Sequence, residues 1–401
     1  MSSKEWKTVK LSEIAYLNYG KSLTSDIRKE GKIPVYSSSG ITGWHDTALV
    51  NEDGIVIGRK GNVGSIFYAD GPFYCIDTAY YIKKSELKCN IKYFYYLLKI
   101  LGLDKLNEDS AVPGLNRDTA HSQLFSYPEE IDTQRRIADI LAALDDKIEL
   151  NRQTNATLEA IAQAIFKEWF VDFNFPGATG EMVESELGMI PKGWRVGKIG
   201  ELFHFVIGGD WGKEKPSKEF SVQCAVIRGT DLEDIWSGQA LKVPRRYIKL
   251  SNFRKRELIE GDIILEISGG SKEQATGRNL LIIREILDLF AEPAIHTSFC
   301  RLIRAKNFAT SIFLGTFLRI FYSEGGTWDF QLQSTGISNF QFVDFENRQQ
   351  IIIPSEKILD DFMNIVLPLY RMVGTLNKQS NALAIIRGSL LPKLMSGEID
   401  V

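Results

Sequence analysis

The stretch DTQRRIADILAALDDKIELNRQTNATLEAIAQAIFKEW, Asp132–Trp169, contains neither proline nor glycine. A largely apolar stripe runs through it: Ile137, Leu141, Leu144, Ile148, Asn151, Asn155, Leu158, Ala162, Ile165, Trp169. The steps alternate between four and three, which is heptad spacing and calls for a facing helix. At about 1.5 Å per residue the helix spans on the order of 55 Å, more than a small domain is wide. A second stripe near the C-terminus supplies the partner: Leu359, Phe362, Val366, Leu369, Val373, Leu376, Ser380 and Leu383, continued by Ile386, Leu390 and Leu394. Asn151 and Asn155 place polar groups in the seam, where they fix register if they pair.

Working outward, the chain repeats one plan. Residues 1–128 consist of short β-like runs and turns, closed by a helical segment Ile91–Leu103 and a strand at Gln123–Tyr127 before the long helix. Past the helix, Phe175–Arg195 has the proline and glycine punctuation of a linker. Trp194, Val196 and Ile199 then echo Trp6, Val9 and Leu11. Gly261–Leu265 echoes Asp53–Ile57, Ala309–Phe321 echoes Ile91–Leu103, and Gln350–Pro354 leads into the second helix as Gln123–Pro128 leads into the first. A period near half the chain describes two modules rather than a solenoid. Two similar heads on paired antiparallel helices suit a ligand with two separated sites, such as duplex DNA.

With 401 residues the chain is long enough for two cored domains. No segment is long and apolar enough to span a bilayer, and MSSKEWKTVKLSE at the start carries no apolar signal region, so a cytoplasmic location is expected. Cys75, Cys89, Cys224 and Cys300 lack ligand spacing, as do His45, His121, His204 and His296, so no metal site is expected. The net charge of −3 does not advertise a polyanion partner, yet Lys242–Arg256, KVPRRYIKLSNFRKR, carries seven basic side chains and no acid.

Catalytic patterns are missing. Gly20-Lys21-Ser22 lacks the earlier glycine of a phosphate loop, and the first half offers no strand–turn–helix for a methyltransferase cofactor. Gly58–Gly64 leads into another β-like run and reads as a hairpin loop. Asp262 and Glu266 flank a strand and invite a nuclease reading. No lysine follows at close spacing, however, and the counterparts Gly54 and Gly58 carry no carboxylates. Neither a catalytic residue nor a bound cofactor is expected.

These features, in this order and twice over, resemble the DNA-specificity subunit of type I restriction–modification systems. The likeness rests on Trp6–Ile14, Ile33–Gly43, the Arg59-Lys60-Gly61 turn, Tyr127-Pro128 with the helix opening Asp132–Ile137, Leu187–Trp194, and Leu391–Gly397. It implies an α+β fold: two target-recognition domains of mixed, mostly β structure joined by two long antiparallel spacer helices with pseudo-two-fold symmetry. The implied divisions are residues 1–128 and 194–354 for the recognition domains, 129–174 and 355–401 for the spacer helices, and 175–193 for the linker. The implied function is non-catalytic reading of a bipartite duplex target. Two methyltransferase subunits and two motor–nuclease subunits are the implied partners, and they carry the S-adenosylmethionine, ATP and Mg²⁺. A protein-docking adaptor with two heads, and a freestanding nuclease or methyltransferase, are the competing readings.

The residues expected to meet DNA follow from chemistry. Arg59 and Lys60 sit in a glycine-bracketed turn, where arginine forks onto guanine and lysine neutralises phosphate. Ser37, Ser38 and Thr42 lie in a polar loop with hydroxyl donors. Arg245, Arg246, Lys249, Arg254, Lys255 and Arg256 suit the phosphate backbone. Ser271 and Lys272 occupy the second module's version of the Arg59 turn, where Ile267 stands in the place of Arg59. Phe166, Trp169, Phe170 and Phe173 are candidates for docking a partner subunit, with packing against a domain as the plainer use.

Overall fold

The computed structural model describes residues 6–106, 114–238, 242–270, 274–334 and 337–401. The chain forms two compact units: Met1–Asp146 with Ala384–Val401, and Lys147–Leu383. Both long helices form, as Ile131–Phe170 and Glu356–Ser396, and each contributes one part to either unit.

In the first unit, Trp6–Lys10 pairs antiparallel with Leu124–Pro128. A four-stranded sheet follows in the order Asn18–Tyr19, Ala79–Lys83, Gly54–Gly58, Ile66–Ala69. A three-stranded sheet has Ile33–Ser37 between Gly40–His45 and Tyr74–Cys75, the last pairing being parallel. Strand Gly54–Gly58 is buried throughout, and helix Ile91–Ile100 packs Phe94, Leu97 and Leu98 into the same core. Ile137, Ala138 and Leu141 of the central helix join that core, together with Leu394 and Met395 of the C-terminal helix.

The second unit repeats this order. Arg195–Lys198 pairs with Gln350–Ile353. The larger sheet runs Phe203–Gly208, Cys300–Ala305, Asp262–Glu266, Asn279–Leu281. The smaller has Phe220–Ile227 between Arg245–Lys249 and Ala294–His296, again with the last pairing parallel. Local devices repeat as well. The Glu13 carboxylate accepts from the Lys10 amide at 2.8 Å, and Glu201 accepts from Lys198 at 2.8 Å. Asn90 caps helix Ile91–Ile100 through the Tyr93 amide, and Asn307 caps Phe308–Ser323 through Thr310. Such caps satisfy amides that have no partner within the helix and contribute about 1 kcal/mol each. The second unit adds a three-stranded sheet, Ser268–Gly270, Ile337–Phe340 and Gln331–Ser334.

Within each unit the two long helices meet antiparallel, because partner numbers fall as residue numbers rise. In the second unit the Asn151 amide donates to Gln379 Oε1 at 2.9 Å and Ser380 Oγ at 3.1 Å, Asn155 donates to Asn377 Oδ1 at 2.6 Å, and Phe170 meets Phe362 at 4.9 Å between ring centroids. In the first unit Arg387 binds Asp145. Asn151 and Asn155 are both buried, so the two polar interruptions of the heptad stripe are a ladder across the seam. The C-terminal helix continues through Pro368, forgoing one backbone hydrogen bond. Val366 and Tyr370 on either side are fully packed and hold it there.

The linker segment contains an antiparallel hairpin, Met182–Ser185 with Gly188–Pro191. The Ser185 hydroxyl donates to the Gly188 carbonyl at 2.6 Å, and Gly188 takes φ +91°, so the glycine that punctuates the sequence is a hairpin turn residue.

Candidate nucleic-acid interface

In the first module, strand Gly54–Gly58 delivers Arg59 and Lys60 into a turn fixed at its base. Both amides donate to the Thr78 carbonyl, at 2.9 and 3.0 Å, and the Arg59 carbonyl accepts from Leu115 at 2.8 Å. The Arg59 guanidinium lies 5.1 Å from the Tyr19 ring centroid and 5.8 Å from that of Tyr80. Arg117, at the start of a short helix capped by Asn116, lies 4.9 Å from the same Tyr19 ring and donates to the Tyr16 hydroxyl at 2.9 Å. Tyr16 and Tyr19 are about half exposed, at 51% and 47%.

Arg59, Lys60, Tyr19, Tyr80, Asn116 and Arg117 line one cleft. Among the described residues, no carboxylate within 4 Å neutralises Arg59, Lys60 or Arg117. Asp118 also lines the cleft but makes no ion pair with them, and two guanidiniums sharing a tyrosine face form a cationic and aromatic surface suited to phosphates and base edges. Burial first, then the neighbouring Tyr19 hydroxyl, pushes the Tyr80 phenol up to about 12, so it stays protonated and donates to the Leu115 carbonyl at 2.9 Å.

The serine loop is the two-residue tip of the hairpin Ile33–Ser37/Gly40–His45. Ser37 Oγ donates to the Gly40 carbonyl at 3.2 Å and accepts from the Ser39 amide. Ser38 is buried, and its carbonyl accepts from Ser65 Oγ. Asn62 donates to Ser39 Oγ at 3.1 Å, tying this tip to the Arg59 loop. Ser37 and Ser38 are therefore committed to loop architecture. Thr42 stays exposed, beside exposed Ile41 and Trp44.

Three of the seven cations in the second module's basic run are neutralised. Arg245 pairs with Glu292 at 3.0 Å, Arg246 with Glu214 at 2.9 Å and Lys249 with Glu219 at 2.7 Å. Arg256 donates to the Gly208 carbonyl at 2.7 Å. Arg254 and Lys255 stay exposed with no ion pair among the described residues. A paired cation gains less from a phosphate than a free one, because its acid must first be displaced. Ser271 and Lys272 lie outside the described residues.

Phe166, Trp169 and Phe170 are buried in the second unit's core, at 5%, 7% and 5% exposure, against Phe313 and Phe362. Phe173 is half-buried, edge-on to Trp194, and takes φ +61° just past the helix end. This cluster closes the core and offers little surface to a partner. Asp262 and Glu266 are likewise internal: Arg304 holds Asp262 through both carboxylate oxygens, and Arg278 holds Glu266. Among the described residues, no group of three or more His, Cys, Asp or Glu side chains converges as for a metal ion.

His296 is fully buried, with Nε2 at 3.3 Å from the Ile207 carbonyl. Burial pulls its pKa down from 6.5 to about 4, and the charges of Arg256 and Arg301 add to the fall. Between those values the unfolded chain binds a proton that the folded chain refuses. The stabilisation is thus complete above pH 6.5 and is lost as pH drops toward 4, by about 3 kcal/mol in all. His296→Gln should flatten this part of a pH series of denaturant midpoints. An unchanged slope in the variant would place the titration elsewhere.

The two units thus repeat one arrangement of strands and helices while differing in the side chains they carry. Residues 3–160 match the type I restriction modification DNA specificity domain. The type I restriction enzyme MjaIX specificity subunit of Methanocaldococcus jannaschii is 29% identical over 318 residues, 77% of this chain and 69% of that protein. The HindI specificity subunit of Haemophilus influenzae is 35% identical over 125 residues, 29% of this chain and 27% of the other. The crystal structure of a type I restriction–modification S subunit from M. genitalium shares the fold, with a TM-score of 0.58 over 98% of this chain and 97% of that one at 15% identity. In its first 160 residues by family model, and over most of its length by sequence and fold, the chain is similar to the DNA specificity subunits of type I restriction–modification systems.

Proposed function

We propose that this chain is the non-catalytic subunit that reads a bipartite sequence in duplex DNA and directs two methyltransferase and two motor–nuclease subunits to it. In this reading S-adenosylmethionine, ATP and Mg²⁺ belong to those partners, and the assembly works in the cytoplasm. Residues 1–128 and 194–354 read one half-site each, residues 129–174 and 355–401 set the gap between them, and 175–193 connects the two halves. Among the described residues, no helix is long and apolar enough to cross a membrane.

The observation that carries the proposal is the first module's cleft, where Arg59 and Arg117 lie over one tyrosine ring and neither is in an ion pair among the described residues. Arg59 is assigned to a base edge, while Lys60 and Arg117 are assigned to the phosphate backbone, with Arg254 and Lys255 in the same role in the second module. Methylation of a randomised duplex library by the complex with the methyltransferase subunits tests this. Arg59→Ala should relax preference at one base of one half-site by roughly tenfold. Arg117→Ala should lower methylation of all sequences alike and reduce its salt dependence. A uniform loss with Arg59→Ala would move that residue to the backbone class.

A further inference from the structure

The register that relates the two modules also relates their clefts, residue by residue. The Arg59 amide donates to Thr78 and its carbonyl accepts from Leu115. In the second module the Ile267 amide donates to Phe299 at 2.9 Å, and its carbonyl accepts from Phe340 at 2.9 Å. Ile57 lies opposite Tyr80 as Leu265 lies opposite Arg301. Tyr19 pairs with Tyr80 as Gly208 pairs with Arg301. The second cleft thus holds isoleucine in the place of Arg59, arginine in the place of Tyr80 and glycine in the place of Tyr19.

The cation has changed walls. In the first module it rises from the loop after the central strand and leans on two tyrosine rings. In the second it rises from the neighbouring strand, Cys300–Ala305, and lines a cleft with Ile267, Phe340, Phe342 and Val343. The glycine makes room for it: a Cβ at position 208 would stand 2.5 Å from Arg301 Nη1. Arg301 is half-buried, and among the described residues no hydrogen bond or ion pair engages its guanidinium. Asp344, the acid in this cleft, is held by Arg348 at 3.4 Å. Gln341 and Asn347 line the cleft too, yet among the described residues the half-buried fork of five donors is bonded to no acceptor. Its planar geometry matches the adjacent O6 and N7 acceptors of guanine in the major groove.

We propose that Arg301 is the base-reading residue of the second module, the counterpart of Arg59, and that it takes a guanine edge in the second half-site. The proposal rests on the DNA-reading function above and names the specificity residue of its second half. The same library methylation separates the outcomes, using complexes built with the full chain. Arg301→Ala should lose roughly tenfold preference at one position, in the half-site that Arg59→Ala leaves intact. Arg301→Lys keeps the charge without the fork and should behave the same way. Gly208→Ala keeps the arginine but puts a methyl group in its space, and should shift the same position. The first half-site, read in the same reaction, reports whether each variant is folded, and Arg301→Lys decides the matter if Arg301→Ala fails to assemble. Unchanged preference in Arg301→Lys, a uniform fall over all sequences, or a change in the half-site of Arg59 would each overturn the proposal. A wild-type complex without any split consensus would instead overturn the DNA-reading function itself, and this proposal with it.

Discussion

Replacing Glu266 by alanine is expected to destabilise the second unit by about 3–5 kcal/mol, the cost of leaving a buried charge without its partner. Glu266 ends the strand Asp262–Glu266, inside the larger sheet, and is 1% exposed. Its oxygens accept from Arg278, whose Nε is 2.8 Å away and whose side chain is 15% exposed. The site is shaped around the carboxylate, since a Cβ at Gly229 would come within 2.6 Å of Glu266 Oε1. Alanine would strand the Arg278 guanidinium beside the space the carboxylate leaves. Glu266→Gln keeps the volume and one acceptor, and should cost clearly less. Chemical denaturation followed by Trp fluorescence measures both. Equal stability of Glu266→Ala and the wild type would mean that the pair contributes nothing.

Asn377→Ala should cost the same unit about 2–4 kcal/mol through unsatisfied polar groups and a small cavity. Asn377 is 1% exposed and accepts from Asn155, while its own amide donates to the Trp236 carbonyl at 2.7 Å and the Ile235 carbonyl at 3.3 Å. Those carbonyls end the helix Leu232–Ser237, where no intrahelical donor remains for them. Gly238 follows at φ +72°, and a Cβ there would come within 2.4 Å of Asn377 Oδ1. Asn377 therefore couples the helix seam to the second module's fold. Hydrogen exchange should show faster exchange around residues 232–238 together with 372–380. Faster exchange confined to the long helix would refute the coupling.

What the sequence revealed depended on how local each signal was. The long helices were legible because their heptad stripes lie along the chain: Asp132–Trp169 agrees with the observed helix to one residue at each end, and the stripe Leu359 to Leu394 lies within Glu356–Ser396. The repeat was legible at its frame, in the tryptophan starts and the strands entering each long helix. The cleft was only half legible. Arg59 announces itself between glycines, but Tyr16, Tyr19 and Arg117 join it from separate segments through strand register and a helix cap. Arg301 gives no local sign, since its role appears only when the pairing of Gly208 with Arg301 is set against that of Tyr19 with Tyr80. The acids facing the basic run were hidden for the same reason, because Glu214, Glu219 and Glu292 come from outside it.

The central claim is that two modules read two separated half-sequences. Mapping adenine methylation on random-sequence duplex DNA treated with the complex of this chain and its methyltransferase subunits tests it most directly. The account predicts a split consensus of two defined half-sites around a gap of fixed length and undefined sequence, with the modified adenines in the half-sites. Methylation at one continuous motif, or without sequence preference, would contradict it.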